Sequence, residues 1–173
     1  MTDWPVFLRE LRAEEDRWRH TPADHADSVP WMPFDMARFV MFLTEAVAAS
    51  PGPAFLDVGC GPGSKVRLAT ALFDLEAYGI EIDPKMVTRA LECGVQAVHA
   101  DALAWPAYNE ADIVYLNRPM QGGSQASLEM QIMDRMAPGA VLISVNALLR
   151  PSDFGWETVA AEWDARDGVW KKP

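Results

Sequence analysis

The residues in this chain whose types and spacing could do chemistry are a set of acids and a set of glycines. Phe55-Leu56-Asp57-Val58-Gly59-Cys60-Gly61-Pro62-Gly63-Ser64 is an apolar run that ends in an acid and continues into three alternating glycines. Gly59, Gly61 and Gly63 lack a Cβ, so the main chain can adopt φ > 0 there and approach a ligand closely. A helix opening just beyond them would aim free N–H groups and the positive end of its dipole at that ligand. Glu81 and Asp101 close two further apolar segments, where a carboxylate can accept from hydroxyl or amino groups. This pattern calls for a flat, charged, nucleotide-like ligand. Spacing narrows it further. A dinucleotide fingerprint reads G-x-G-x-x-G, whereas this chain reads G-x-G-x-G with Ser64 at the third glycine's place. Asp57, two residues before Gly59, would repel a pyrophosphate but favour an ammonium or a water network. A nicotinamide-dependent reductase is therefore disfavoured.

Positioning such residues requires strands that end where they stand. Strands are expected over Ala54–Val58, Ala77–Glu81, Gln96–His99, Ala111–Leu116 and Ala140–Asn146. Helices are expected over Ser64–Asp74, from Asp83-Pro84 to Gly94, and over Gly123–Met136, with Asp83 as a cap and Pro84 at the first helical position. Short apolar strands alternating with helices indicate a parallel sheet covered on both faces. Beyond Pro151, Trp156–Trp163 and Val169–Lys172 flank the turn signal Asp167-Gly168 and predict an antiparallel closing hairpin. Upstream, a helix from about Pro5 to Arg19 carries Leu8, Leu11, Glu15 and Trp18 on one side, with a charged, solvent-facing remainder. Thr21–Phe34 reads as an irregular connection, and Asp35 caps a helix over Met36–Ala49.

Composition sets the outer bounds. With 173 residues and half of them apolar, one domain with a proper core is expected. A net charge of −10 and no basic cluster argue against autonomous binding of duplex nucleic acid. Cys60 and Cys93 are too few for a disulfide framework or a zinc site, and no metal is expected. No apolar run is long enough to span a bilayer, so a cytoplasmic setting without membrane contact is the expectation.

Asp57–Gly63, Gly79-Ile80-Glu81-Ile82-Asp83 and Ala100-Asp101-Ala102 together resemble the first three motifs of class I S-adenosylmethionine-dependent methyltransferases. The resemblance implies a single-domain Rossmann-like α/β fold, with residues 1–50 as a helical cap and 51–173 as the core. It implies S-adenosyl-L-methionine as cofactor. Asp57, Gly59, Cys60, Gly61 and Gly63 would cradle its methionine part and Glu81 would accept both ribose hydroxyls. Ile82 would pack on the adenine, Asp101 would accept from the adenine amino group, and Ala102 would offer its N–H to the ring.

The acceptor end is less defined. Asn117-Arg118-Pro119-Met120 resembles the Asn-Pro-Pro-Tyr segment of methyltransferases acting on bases or glutamine, but Arg118 and Met120 depart from it. The missing aromatic removes a stacking platform. Asn117 remains a candidate for orienting an amine and Tyr115 for lining the acceptor pocket, while His99 fits a structural role better than a catalytic one. Val29-Pro30 through Val47, Val114-Tyr115-Leu116-Asn117 and Leu149-Arg150-Pro151 are more weakly similar to small protein lysine methyltransferases, the mitochondrial ATP-synthase-lysine type among them. A protein amine therefore edges a small molecule as the expected acceptor, with a non-catalytic cofactor-binding module as the alternative. Trp31, Met32 and Phe34 are candidate lid residues.

Overall fold

A computed structural model describes residues 3–18, 28, 35–161 and 166–173. Twelve main elements follow in order: α1 (Trp4–Trp18), α2 (Met36–Ala49), β1 (Ala54–Val58), α3 (Ser64–Phe73), β2 (Glu76–Glu81), α4 (Pro84–Glu92), β3 (Ala97–His99), β4 (Ile113–Asn117), α5 (Gly122–Arg135), β5 (Val141–Val145), β6 (Glu157–Ala161) and β7 (Gly168–Lys171). The strands form one sheet in the order β3-β2-β1-β4-β5-β7-β6. β1 to β5 run parallel, and β7 pairs antiparallel with both β5 and β6. Strand order reverses at β1, which has β2 on one side and β4 on the other. A crevice at the carboxyl ends of β1 and β4 is where such a sheet takes its ligand.

Alternating side chains explain why β1, β4 and β5 read as continuously apolar. Phe55, Tyr115, Ile143 and Val145 point to one face and pack with Phe39, Phe42 and Leu43 of α2 and with Val66 and Ala69 of α3. Leu56, Val58, Val114, Leu116 and Leu142 point to the other and meet Leu128, Ile132 and Met133 of α5. Helix starts fall where capping acids stand. Asp35 accepts from Arg38 N at 2.9 Å, and Asp83 accepts from Lys85 N at 2.8 Å with Pro84 behind it.

α1 departs from the expectation of a charged face left to solvent. Leu11 and Glu15, read on one side, are both buried, but so is Glu14 of the charged face, whereas Leu8 is exposed. Glu14 takes Arg89 of α4 in a two-pronged pair, Nε at 2.8 Å and Nη2 at 2.7 Å, and also accepts from Trp18 Nε1 at 2.8 Å. The Arg89 bonds outweigh burial and hold the Glu14 carboxyl down at about 2. Acid pairs, more than an apolar stripe, dock this helix. Most of Thr21–Phe34, with the candidate lid residues Trp31, Met32 and Phe34, lies outside the described residues. Ser28 is described and forms an antiparallel bridge to Met120, just beyond β4.

Candidate functional site

The site is assembled where β1, β2 and β4 end. Between β1 and α3 the chain turns through three left-handed glycines, with φ of +75° at Gly59, +53° at Gly61 and +82° at Gly63. Close packing reinforces the need for glycine at the first. A Cβ on Gly59 would lie 2.8 Å from Cβ of Pro119, which sits just beyond β4. Cys60 turns inward, and a Cβ on Gly79 of β2 would lie 2.4 Å from its Cβ and Sγ. That contact explains the glycine inside an otherwise apolar strand. Burial, then the charges of Asp57 and Glu81, push the Cys60 thiol well up, so it has no nucleophilic character.

Two of the three strand-end acids are buried. Glu81 sits beneath the glycine turn, where its Oε2 accepts from Gly61 N at 2.8 Å and its Oε1 accepts from Ile82 N at 2.8 Å and Asp83 N at 2.9 Å. Burial raises its pKa, against the pull of those three N–H groups. Three of about four acceptor positions are therefore used, and one remains on Oε2. A grip on two ligand hydroxyls would require Glu81 to release or share a backbone bond. Asp57 is different: it is buried and makes no side-chain hydrogen bond to any described residue. Burial pushes its carboxyl up to about 7; Lys65 opposes the rise and Glu81 adds to it.

The third acid, Asp101, is exposed, and its Oδ1 accepts from Leu103 N at 2.9 Å, capping a short 3-10 turn. Its other carboxylate oxygen forms no hydrogen bond with the described residues. Ala102 is buried, and its carbonyl accepts from the Tyr108 hydroxyl at 2.8 Å. Ile82 is half-buried beside the turn, and its carbonyl lies 2.9 Å from His99 Nε2, a structural tie rather than a catalytic placement.

At the β4 end, Asn117 is partly exposed, and its Oδ1 accepts from Asn146 Nδ2 at 3.0 Å. Tyr115 does not line an open pocket. It is 2% exposed, its ring stands edge-on to Phe39 with centroids 5.0 Å apart, and burial raises its hydroxyl well above the usual range. The expected pocket role for Tyr115 gives way because a residue two positions before the strand end points into the face covered by α2. Arg118, next to Asn117, has φ of +35°, a left-handed value unusual for an arginine.

One feature of the site had no local signal. Glu15 of α1 reaches over the start of α3, where Ser64 Oγ donates to it at 2.7 Å and Lys65 Nζ pairs with it. The partners lie 49 and 50 residues apart, beyond any helical or strand period. Among the described residues no group of His, Cys, Asp and Glu could hold a metal, and no helix is long and apolar enough to cross a membrane.

These residues fit a cofactor that carries an ammonium and a ribose. A buried carboxylate with no donor among the described residues can take a cation, a second acid retains an acceptor position, and a backbone turn that a Cβ would obstruct lies beside them. The comparisons agree. Residues 55–139 match the methyltransferase domain family. The chain is 34% identical over 146 residues to a trans-aconitate 2-methyltransferase of Methylobacterium radiotolerans, covering 82% of this chain and 48% of that protein. Its fold resembles an RNA methyltransferase of Salinibacter ruber solved with S-adenosyl-L-homocysteine, at a TM-score of 0.60 and 20% identity, over 82% of this chain and 92% of that one. It also resembles a Thiobacillus denitrificans S-adenosylmethionine-dependent methyltransferase solved with the same ligand, at a TM-score of 0.52 and 16% identity, over 76% and 54% of the two chains. Fold, site and matched domain define a class I, Rossmann-like S-adenosylmethionine-dependent methyltransferase domain. The cofactor of this class is S-adenosyl-L-methionine. The chain spans about half the length of the curated relatives it matches.

Proposed function

We propose that this protein transfers the methyl group of S-adenosylmethionine to a small-molecule acceptor. The observation that carries the donor half is the undonated carboxylate of Asp57, buried under a left-handed glycine turn and within the field of Glu81. Asp57 would hold the cofactor's ammonium, Glu81 Oε2 a ribose hydroxyl, and the free oxygen of Asp101 the adenine amino group beside Ile82 and Ala102. The backbone of Gly59, Gly61 and Gly63 would pass beneath the ligand. The bound cofactor supplies an electrophilic methyl on a sulfonium. The chain orients the acceptor towards it, and Asn117, tied to Asn146 and partly exposed, is placed to accept a hydrogen bond there. Residues 1–50 would close this end of the sheet, an arrangement supported by the Ser28–Met120 bridge and the Glu15 contacts with α3.

Support for a small acceptor comes from the relatives named for trans-aconitate, and it reverses the initial preference for a protein amine. Two experiments test the reading. Titration calorimetry with S-adenosylmethionine, S-adenosylhomocysteine and NAD should show the first two binding and the third not; tight binding of NAD alone would sink it. Transfer of tritiated methyl should then label trans-aconitate or a related small acid. Label found only on lysine-containing peptides would return the acceptor to the protein class.

A further inference from the structure

We propose that Arg118 is the anion-binding residue of the acceptor site, and that the acceptor it selects is a small organic acid presenting a carboxylate. The inference rests on the methyltransferase reading above and names its substrate class. Arg118 follows β4 directly and stands between Asn117 and Pro119, whose Cβ closes on the glycine turn at Gly59. Its backbone is left-handed, a strained state that persists in folded proteins only where surrounding packing fixes it. Its Nε is buried and has no hydrogen-bond partner among the described residues, and none of the described carboxylates pairs with it. A guanidinium is charged at any accessible pH, and its planar fork of donors matches a carboxylate. Leaving such a donor buried and unbonded is unfavourable unless a ligand completes it.

The acids flanking this end of the sheet are already engaged. Asp167 accepts from Arg38 Nη2 at 2.9 Å and from Asn146 N at 2.6 Å. Glu129 of α5 accepts from Gln125 Nε2, Leu148 N and Leu149 N at 2.7 to 3.2 Å. Glu15 is held by Ser64 and Lys65. Among the described residues, none of these acids is left to pair with Arg118, and an anion from outside is the partner its charge calls for.

Charge balance points the same way. The sulfonium of the donor is a cation, and a second cation at the β4 end would leave the pair uncompensated with a neutral acceptor or an amine. One carboxylate offsets one of these charges, and an acid with two or more carboxylates offsets both. Attack by a carboxylate oxygen forms the ester C–O bond as the C–S bond breaks, with the electron pair remaining on sulfur. The products are a neutral ester group and a neutral thioether, and no proton has to leave. That suits a site edge built from Asn117 and Asn146, neither of which is a base at neutral pH. Trans-aconitate, the acid for which several relatives are named, is a tricarboxylate.

The test is calorimetric titration of trans-aconitate, citrate, succinate and trimethyl trans-aconitate into the 173-residue protein saturated with S-adenosylhomocysteine, for wild type, Arg118→Gln and Arg118→Lys. Wild type should bind at least one acid and not the triester. Arg118→Gln should weaken that acid by about 10- to 100-fold, as expected for losing one or two charge-assisted bonds, and Arg118→Lys should recover part of it. The affinity of Arg118→Gln for S-adenosylhomocysteine should be unchanged, while its affinity for the cationic S-adenosylmethionine should rise roughly three- to tenfold. In turnover, Arg118→Gln should raise KM more than it lowers kcat. The inference is overturned if Arg118→Gln binds the acids as wild type does. It is equally overturned if wild type binds S-adenosylhomocysteine but none of the acids. Failure of wild type to bind S-adenosylhomocysteine would instead overturn the methyltransferase reading itself.

Discussion

Asp57 decides how the site responds to pH. Its carboxyl moves from 3.8 to about 7 on folding, chiefly through burial. Between those values the folded chain holds a proton that the unfolded chain does not, so stability from this group falls as pH rises and the full penalty is in place above about 7. An ammonium beside the carboxylate reverses the preference, so below about pH 7 a ligand of that kind must expel the proton. Other charges acting on Asp57 are Lys65 of α3 and Glu81 of β2. Lys65 is held by Glu15 and does not supply the missing donor. The affinity for S-adenosylhomocysteine should thus rise by up to about tenfold per pH unit towards pH 7 and then level off. Calorimetry in buffers of different ionisation enthalpy should show one proton released on the rising limb, and Asp57→Asn should abolish both slope and release. A flat wild-type profile would mean that no cation meets Asp57. Glu81→Ala should weaken the same ligand by about 1.5–3 kcal/mol for each charged bond lost, and an unchanged dissociation constant would place the ribose elsewhere. The positions of these acids were legible because glycines that cannot carry a Cβ and acids that close apolar runs leave a local mark in sequence. Arg118 left a mark too, as a departure from Asn-Pro-Pro-Tyr, but only its backbone angle and unbonded Nε give the departure a meaning.

At the scale of elements, the sequence located the strands and helices of the core to within a residue or two, since apolar period and capping residues are both local. It misjudged how α1 attaches. Glu14 fell on the charged face and Glu15 on the side of Leu11, and nothing within one turn shows that Glu14 meets Arg89 or that Glu15 meets Lys65 across the start of α3. The Glu15–Lys65 pair is buried on both sides, with side chains 8% and 7% exposed. Removing one partner of such a pair strands the other charge away from water, at a cost of about 3–5 kcal/mol. Glu15→Gln should therefore lower the urea midpoint by an amount corresponding to that cost. The double replacement Glu15→Leu with Lys65→Met should recover most of it, because the desolvation of two charges disappears together with their attraction. Equal loss in the single and double variants would show that the pair itself, rather than the isolated charge, supplies the stability. Ser64 keeps an acceptor in Glu15→Gln, whose amide oxygen can still take its hydrogen bond, but loses it in the double variant, which caps the recovery. α1 is thus fastened to the first turn of the helix that follows the glycine cradle, and its docking and the shape of the cradle are coupled.

Across the whole molecule, the site draws on parts of the chain that are remote in sequence. Ser28 bridges Met120 beyond β4, Glu15 holds the start of α3, and Arg38 of α2 reaches Asp167 at the closing hairpin. Asp167 in turn fixes the backbone of Asn146, which binds Asn117. The antiparallel hairpin, legible from Asp167-Gly168, is therefore more than a sheet edge, because it braces the β4 end through β5. Gly168, read as part of the turn, is already paired in β7 with Ala161 and Ser144, and it must be glycine because a Cβ there would lie 2.6 Å from the Ala160 carbonyl of β6. Because these braces span both ends of the chain, a ligand that ties β1, β2 and the β4 end together should stabilise the domain as one unit. At a ligand concentration of 100 times its dissociation constant the gain is about 2.7 kcal/mol. For a chain of this size each kcal/mol raises the melting temperature by roughly 2–4 °C. S-adenosylhomocysteine should accordingly raise it by about 5–11 °C, measured by differential scanning calorimetry as a single sharpened transition. NAD should leave it unmoved, and Asp57→Asn or Glu81→Ala should shrink the rise at the same ligand concentration. Two separating transitions with ligand present would show that the cradle is stabilised apart from the α1 and hairpin braces, and the coupling drawn through Glu15 and Asp167 would then fail.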